Sequence, residues 1–372
     1  MAPVAVVEHQ RGNARLKTII VAGAVALLIA LLGTPLLTSL MRRHGFGQPI
    51  RVEGPKSHET KRGTPTMGGT VFVIAAMIGY VVAHLATDDR FTPSGVLVLL
   101  LMAGLGLVGF IDDFFKIFRQ NSAGLRGWAK LGGQVVVAAA FAAEVVRYPN
   151  RIDLTPADPS LSFLRDVGPA IGMLPFVIWV VIMVAGTSNA VNLTDGLDGL
   201  ATGSTIVVLA AYVLIGVWQE RNDCISVFSS QCYQVRDPLD LAVVAAAILG
   251  ACFGFLWWNA PPAKIFMGDT GSLALGGALA GLAICTKTQL LLIILGGLFV
   301  IITMSDVIQV SVFKLTKIRT GRGKRVFKMA PLQHHFELLG WADTTILIRF
   351  WIISSLCVAL GLGIFYAAWL QA

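Results

Sequence analysis

Two aspartates stand side by side at the end of an apolar run, Gly109-Phe110-Ile111-Asp112-Asp113-Phe114-Phe115-Lys116. Adjacent carboxylates at the edge of such a run repel each other, and a divalent cation or a bound proton relieves the repulsion; hard oxygen donors suit magnesium better than zinc. A second acidic segment reads Asn189-Ala190-Val191-Asn192-Leu193-Thr194-Asp195-Gly196-Leu197-Asp198-Gly199. There Asp195 and Asp198 share a face if the segment is helical, no basic residue offers a local partner, and glycine lets the backbone approach a ligand closely. A third runs Asn259-Ala260-Pro261-Pro262-Ala263-Lys264-Ile265-Phe266-Met267-Gly268-Asp269-Thr270-Gly271-Ser272. Asp269 opens a short glycine-rich helix whose free N–H groups suit a phosphate, and a metal carried by Asp269 beside them would suit a pyrophosphate. Each segment alone also reads as a membrane boundary, a turn or a helix cap.

Cations accompany these acids. Lys61-Arg62-Gly63-Thr64-Pro65-Thr66-Met67-Gly68-Gly69 joins two positive charges to hydroxyls and glycines just before an apolar run, which suits phosphate contact. It has neither the Walker spacing nor GxGxxG. A longer loop carries Lys314, Lys317, Arg319, Arg322, Lys324, Arg325 and Lys328, then Pro331-Leu332-Gln333-His334-His335-Phe336-Glu337. His334 and His335 lack a following Cys at finger-like spacing, so they read as donors to a phosphate or sugar rather than as zinc ligands.

The elements that must position these groups are membrane helices. Of 372 residues, 55% are hydrophobic and 13% charged, too apolar for a soluble surface. Ten windows of about 20 apolar residues recur, at 17–40, 67–86, 95–111, 127–146, 170–186, 201–218, 239–257, 271–285, 290–313 and 346–370. The expected fold is all-α: a single polytopic domain over residues 1–372, with about ten transmembrane helices. The loops after the odd-numbered windows are richer in Lys and Arg, which places them in the cytoplasm and both termini outside. Nearly all of the formal +8 charge then faces the side that holds Asp112, Asp113, Asp195, Asp198 and Asp269. Nothing suggests nucleic-acid binding.

On the opposite side, Asp88, Asp89, Asp153, Asp158 and Asp166 read as solvated turns, and Cys224 and Cys232 share one loop in which an oxidising compartment permits a disulfide. Cys252, Cys285 and Cys357 read as packing residues. The GxxxG spacing of Gly277-Ala278-Leu279-Ala280-Gly281 points to close helix packing. Glu144 and Asp306, inside the windows, read as packing or capping features.

Taken together, segments 61–69, Asp112-Asp113, 189–199, 266–272 and 331–341 resemble the phospho-N-acetylmuramoyl-pentapeptide transferases, of the polyprenyl-phosphate sugar-1-phosphate transferase superfamily, through nearly the whole chain. The resemblance implies a multi-pass enzyme of the bacterial plasma membrane with its site facing the cytoplasm. It would use magnesium to join UDP-N-acetylmuramoyl-pentapeptide to undecaprenyl phosphate, releasing UMP and making lipid I. It implies Asp112, Asp113 and Asp269 as catalytic carboxylates, with Asp269 on magnesium, and leaves two roles open for the adjacent pair: Asp112 as the base that takes the lipid phosphate's proton, or one of the two as a covalent nucleophile. It further implies Phe266 stacking on uracil, Asn189, Gly196, Leu197 and Asp198 around the uridine, Lys61, Thr66, Lys116 and Lys130 near phosphates or peptide, and Asp195, Asn259, His334 and His335 completing the pocket. Membrane lipid surrounds such a protein, and a homodimer is compatible with it.

One departure stands out: the family's loop shows three consecutive histidines, whereas Gln333 replaces the first here, and glutamine carries no proton near neutral pH. The rival readings are a sister transferase that loads N-acetylglucosamine phosphate, against which 331–341 argues, and a transporter or flippase, against which the gathering of acids at one surface argues.

Overall fold

The computed structural model describes residues 2–43, 63–119, 124–224, 227 and 232–370, with side chains from residue 16 onward. Among the described residues twelve helices follow one another: α1 (Ala2–Arg43), α2 (Gly69–Thr87), α3 (Pro93–Phe118), α4 (Gly127–Val145), α5 (Met173–Thr194), α6 (Leu200–Arg221), α7 (Pro238–Asn259), α8 (Gly268–Cys285), α9 (Leu291–Leu295), α10 (Gly297–Thr320), α11 (Leu332–Glu337) and α12 (Asp343–Leu370). Ten of them, all but α9 and α11, are long and apolar enough to cross a membrane. No strand forms among the described residues beyond two isolated bridges.

Three sequence windows change at their ends, and each change matters. The third does not stop at Ile111 but runs to Phe118, so Asp112, Asp113 and Lys116 all lie on the last turns of α3. The fifth starts at Met173 and continues to Thr194, which puts Asn189 and Asn192 on a helix. The ninth breaks at Gly296 into a short α9 and a longer α10 that carries the chain to Thr320.

Helix α8 is the hub. Nearly every residue from Thr270 to Cys285 is buried, and the helix is surrounded by α2, α3 and α5. Helices in lipid gain little from hydrophobic burial against one another, so close backbone approach through small residues has to supply the contact. A Cβ on Gly69 would stand 2.2 Å from the amide nitrogen of Gly271, and one on Gly109 would stand 2.1 Å from the carbonyl oxygen of Asp269. The GxxxG pair serves the same end, with Leu105 against Gly277 and Leu101 and Val98 against Gly281.

On α1, Ala22, Ala26 and Ala30 form a buried small-residue stripe against α7. Pro35 lies inside α1, and proline has no N–H to donate to the carbonyl four residues back. That carbonyl, Leu31 O, accepts instead from the indole Nε1 of Trp258 on α7 at 2.8 Å. The outward faces of α1, α10 and α12 expose Leu28, Leu32, Leu36, Ile301, Ile308, Leu356 and Leu360, as lipid-facing surfaces do.

At the ends of the helices remote from Asp112, Cys224 and Cys232 form a disulfide. Asp158 and Asp166 are more than solvated turns: both accept from Lys287 Nζ, at 2.5 and 2.7 Å, and the lysine side chain is only 10% exposed. Burial alone would lower the pKa of Lys287, but the two carboxylates raise it above its ordinary value. Glu144 closes the last turn of α4, accepting from Arg147 Nη1 at 2.7 Å and Tyr148 Oη at 2.9 Å.

Gly109→Ala drives a methyl group into the α8 backbone, an overpacking that costs about 1–3 kcal/mol or more, whereas Gly132 has open space around its Cβ position. Thermal unfolding of the full chain in detergent should show Gly109→Ala several degrees below the parent and Gly132→Ala close to it. Equal Tm values for the two variants would contradict the α3–α8 contact.

Candidate functional site

Four helix ends meet around Asp269: the end of α3, the start of α4, the end of α5 and the start of α8. Asp112, Asp113 and Asp269 each offer an oxygen within 4.8 Å of the others. At that spacing two like charges repel by roughly 3–4 kcal/mol even at an effective dielectric constant of about 20. Three such pairs would approach the whole stability of an ordinary domain, so the cluster needs compensation.

Two lysines provide it. Lys116 Nζ lies 2.6 Å from Asp112 Oδ2, 3.5 Å from Asp113 Oδ1 and 2.9 Å from Asp269 Oδ2. Lys130, in the first turn of α4, donates to the same Asp269 Oδ2 at 2.6 Å. The other oxygen of Asp269, Oδ1, accepts from Asn192 Nδ2 at 2.7 Å, and the same amide reaches Ser272 Oγ at 2.8 Å.

The two adjacent aspartates have different duties. Asp113 is 2% exposed, and both its oxygens are occupied by the start of α8. Its Oδ1 accepts from Asp269 N at 3.2 Å, while Oδ2 accepts from Thr270 N at 2.9 Å and Thr270 Oγ1 at 2.8 Å. A carboxylate from another helix thus caps the free N–H groups of α8. Gly268 makes room for it: φ is +73° there, and a Cβ would stand 2.5 Å from Asp113 Oδ2 and 2.9 Å from Thr66 Oγ1. Asp112, buried to the same degree, has fewer donors, Lys116 and the backbone N–H of Leu125, which donates to Oδ1 at 2.7 Å, and it shares a hydrogen bond with the Asp269 carboxyl.

The remaining expected residues separate into groups. Phe266 is partly exposed, and its backbone joins the segment before α2: Phe266 N donates to Pro65 O at 2.8 Å and Gly68 N to Phe266 O at 2.9 Å. This brings Thr66, whose buried hydroxyl has no partner, beside Gly268. Asn189 donates to Gln134 Oε1 at 2.9 Å and to Ala185 O at 2.8 Å. Gly196 faces α11: a Cβ there would meet Gln333 Nε2 at 2.7 Å and His334 Nε2 at 2.9 Å.

His334 Nδ1 pairs with Glu337 Oε2 at 2.5 Å, and His335 Nδ1 accepts from Lys328 N at 3.1 Å. Asp198 accepts from Ala263 N at 3.2 Å. Two expected residues look inward instead. Asn259 spends its amide on Thr202 Oγ1 and Ile265 O, and Leu197 packs in an apolar cluster with Leu200, Leu298, Ile302 and Phe350. Lys61 lies outside the described residues.

Asn192, Ser272, Thr270 and Gln134 were not singled out in the sequence. The signal for Asn192 was its spacing, three residues after Asn189 and three before Asp195, which becomes one helix face only once α5 is known to continue that far. Gln333 is fully buried and donates to Leu193 O at 2.9 Å, tying α11 to the last turn of α5. Burial pushes the Asp195 carboxyl well above the usual carboxylate range, and the charges of Asp269, Asp113 and Asp198 push it the same way.

Chemically, the arrangement gathers hard oxygen donors fit for a divalent ion, two ammonium groups that can transfer to an incoming anion, and a carboxylate, Asp112, with fewer donors than its neighbour and able to accept a proton. A family profile described as Glycosyl transferase family 4 matches residues 95–287, and Phospho-N-acetylmuramoyl-pentapeptide-transferase signature 1 matches residues 61–73. The phospho-N-acetylmuramoyl-pentapeptide-transferase of Streptomyces griseus is 57% identical over 358 residues, covering 95% of this chain and 99% of its own. The proteins of the same name from Thermobifida fusca and Kineococcus radiotolerans are both 58% identical, with the same coverage.

The raised pKa of Asp195 has a definite sign. Its unfolded-state value is about 3.9, so folding holds a proton that the unfolded chain releases, and stability from this group falls as pH rises from there through the folded value. Without nucleotide or divalent ion, Asp195→Asn should raise Tm at pH 7, the gain shrinking toward zero as pH approaches about 4. A variant less stable than the parent at pH 7 would contradict the assignment.

Proposed function

The chain belongs to the phospho-N-acetylmuramoyl-pentapeptide-transferase family, and from that premise we propose that it transfers phospho-N-acetylmuramoyl-pentapeptide from UDP to undecaprenyl phosphate in peptidoglycan biosynthesis, with magnesium, at the cytoplasmic face of the membrane. The observation that carries this reading is the convergence of Asp112, Asp269, Lys116 and Lys130 at one end of the bundle. There a water-borne diphosphate and a membrane-bound monophosphate can meet. The basic loop between α10 and α11 supports the orientation, since cytoplasmic loops collect Lys and Arg.

An oxygen of the lipid phosphate forms a bond to the β-phosphorus of the nucleotide. The bond from that phosphorus to the bridging oxygen breaks, and UMP leaves with the electron pair. Asp112 accepts the proton of the lipid phosphate: of the adjacent acids it has the fewer fixed partners. Asp113, with both oxygens spent on α8, positions Asp269 rather than attacking phosphorus, which favours direct transfer over a covalent intermediate.

Asp269 would hold the magnesium ion, its oxygens being the hard donors such an ion requires, and the bound ion would supply charge neutralisation across the diphosphate. Lys116 and Lys130 then leave Asp269 for phosphate oxygens, so charges that balance the resting cluster become the fixed cations of the transition state. Asn192 keeps the Asp269 carboxylate oriented while they move. Phe266 and Asp198 border the uridine, Thr66 offers its unpartnered hydroxyl to a phosphate, and Asp195, whose carboxyl burial pushes above the usual carboxylate range, completes the pocket.

Quantifying UMP release from UDP-N-acetylmuramoyl-pentapeptide tests this directly, and it should require both undecaprenyl phosphate and magnesium. Asp112→Asn should lower the rate about a hundredfold or more, the usual scale for removing a general base, with Tm unchanged. Asp113→Asn should lower rate and Tm together, because an amide cannot accept all the N–H groups at the start of α8. Near-normal turnover of Asp112→Asn, or an unaltered Tm for Asp113→Asn, would contradict the division of roles.

A further inference from the structure

We infer that Gln333 is a positioning residue for the nucleotide: its side-chain amide fixes the end of α5, and through it the chain from Asp195 to Asp198 that borders the uridine. The inference rests on the proposed transferase reading and adds a residue to the nucleotide side of its site.

A helix ends in carbonyls that no later N–H of the same helix can reach. Helix α5 ends at Thr194, and Asp195 N turns back to Val191 O and Asn192 O. Among the described residues no backbone N–H donates to Leu193 O. Gln333 Nε2 supplies the donor at 2.9 Å, from a side chain that is fully buried. The amide oxygen of Gln333 is buried without a partner, so the donor half of this amide is the half in use.

The contacts around that hydrogen bond carry its effect into the loop. Gly196 lies against the same amide, where a Cβ would stand 2.7 Å from Gln333 Nε2. Leu197 packs with Leu200, Leu298 and Phe350, and Leu332 and Phe336, on either side of Gln333 along α11, pack against the same cluster. The apolar contacts thus hold α11 in place while the amide reaches α5. Asp198 Oδ2 accepts from Ala263 N at 3.2 Å, in the segment that leads to Phe266. Without the Gln333 donor a carbonyl inside the protein is left unpaired, and the last turn of α5 loses the contact that sets where Asp195 and Asp198 project.

Gln333 is also where the chain departs from three consecutive histidines. A neutral imidazole offers an N–H of comparable reach, whereas glutamine carries no proton for transfer. Donation to Leu193 O is the task that both side chains can perform, and it needs no contact with the carboxylates that engage the phosphates.

Initial rates of UMP release by the full chain in detergent, with each substrate varied in turn while the other and magnesium are saturating, test this. Gln333→Met keeps the length of the side chain and removes the donor. Its KM for the UDP-sugar peptide should rise about tenfold, the scale of one hydrogen bond whose loss leaves a group unpaired. Its kcat and its KM for undecaprenyl phosphate should stay within about twofold of the parent, as for a loss of nucleotide binding alone. Gln333→His, which restores an N–H, should bring the nucleotide KM back to within about twofold. Should Gln333→Met fail to fold, Gln333→Asn, whose amide falls one methylene short of Leu193 O, takes its place with the same expectation.

An unchanged nucleotide KM in the variant without the donor would overturn the inference, as would a fall in kcat with KM intact. A nucleotide KM in Gln333→His as high as in Gln333→Met, or a large gain of kcat in Gln333→His, would also overturn it, the first by denying the donor role and the second by showing that a proton carrier is limiting. Absence of UMP release from the parent chain is a separate result: it would remove the transferase reading and this inference with it.

Discussion

Three carboxylates held within 4.8 Å of one another at the end of a lipid-embedded bundle are the constraint around which the rest of this structure is arranged. The repulsion among them is met by two lysines, by an amide from α5 and by the N-terminus of α8. The resting site therefore already contains the groups that a diphosphate would engage. In the mechanism proposed above, the salt-bridge network of the resting site is the same set of charges that would stabilise transfer, the ammonium groups changing partners. Preorganised charge of this kind is worth more away from bulk water than at an open surface.

Holding the cluster together demands that α3, α5 and α8 approach one another more closely than ordinary side chains allow. Gly109 and Gly268 lie at that contact, the first against the Asp269 carbonyl and the second against the Asp113 carboxylate. Catalytic geometry and helix packing are consequently one problem here. Asp113 belongs to both, since the carboxylate that caps α8 also fixes where Asp269 projects.

Much of this was legible in the residues. Ten apolar windows map onto ten long helices, because the length needed to cross a bilayer leaves little freedom. The Asp112-Asp113 pair and Asp269 announced themselves as acids without soluble surroundings. Helix ends were less legible, because α3 continues through Asp112, Asp113 and Lys116 and α5 through Asn189 and Asn192, where polarity signals an end but tertiary pairing sustains the helix. The roles of the paired aspartates were illegible for the same reason: adjacent letters cannot show that one faces α8 and the other a loop. Asp158 and Asp166 read as solvated turns because their partner, Lys287, lies more than a hundred residues away, as does Trp258 from the Leu31 carbonyl freed by Pro35. Asn259 and Leu197, drawn from within polar, glycine-rich segments, turn out to be spent on internal contacts.

The central claim is that Asp269, released from Lys116 and Lys130, is the anchor for one divalent ion. Electron paramagnetic resonance of bound Mn²⁺, used as a paramagnetic substitute for magnesium and titrated in the presence of the UDP-sugar peptide, tests it most directly. The account predicts a single saturable ion per chain that disappears in Asp269→Asn and persists in Asp195→Asn. Undiminished binding in Asp269→Asn would contradict it.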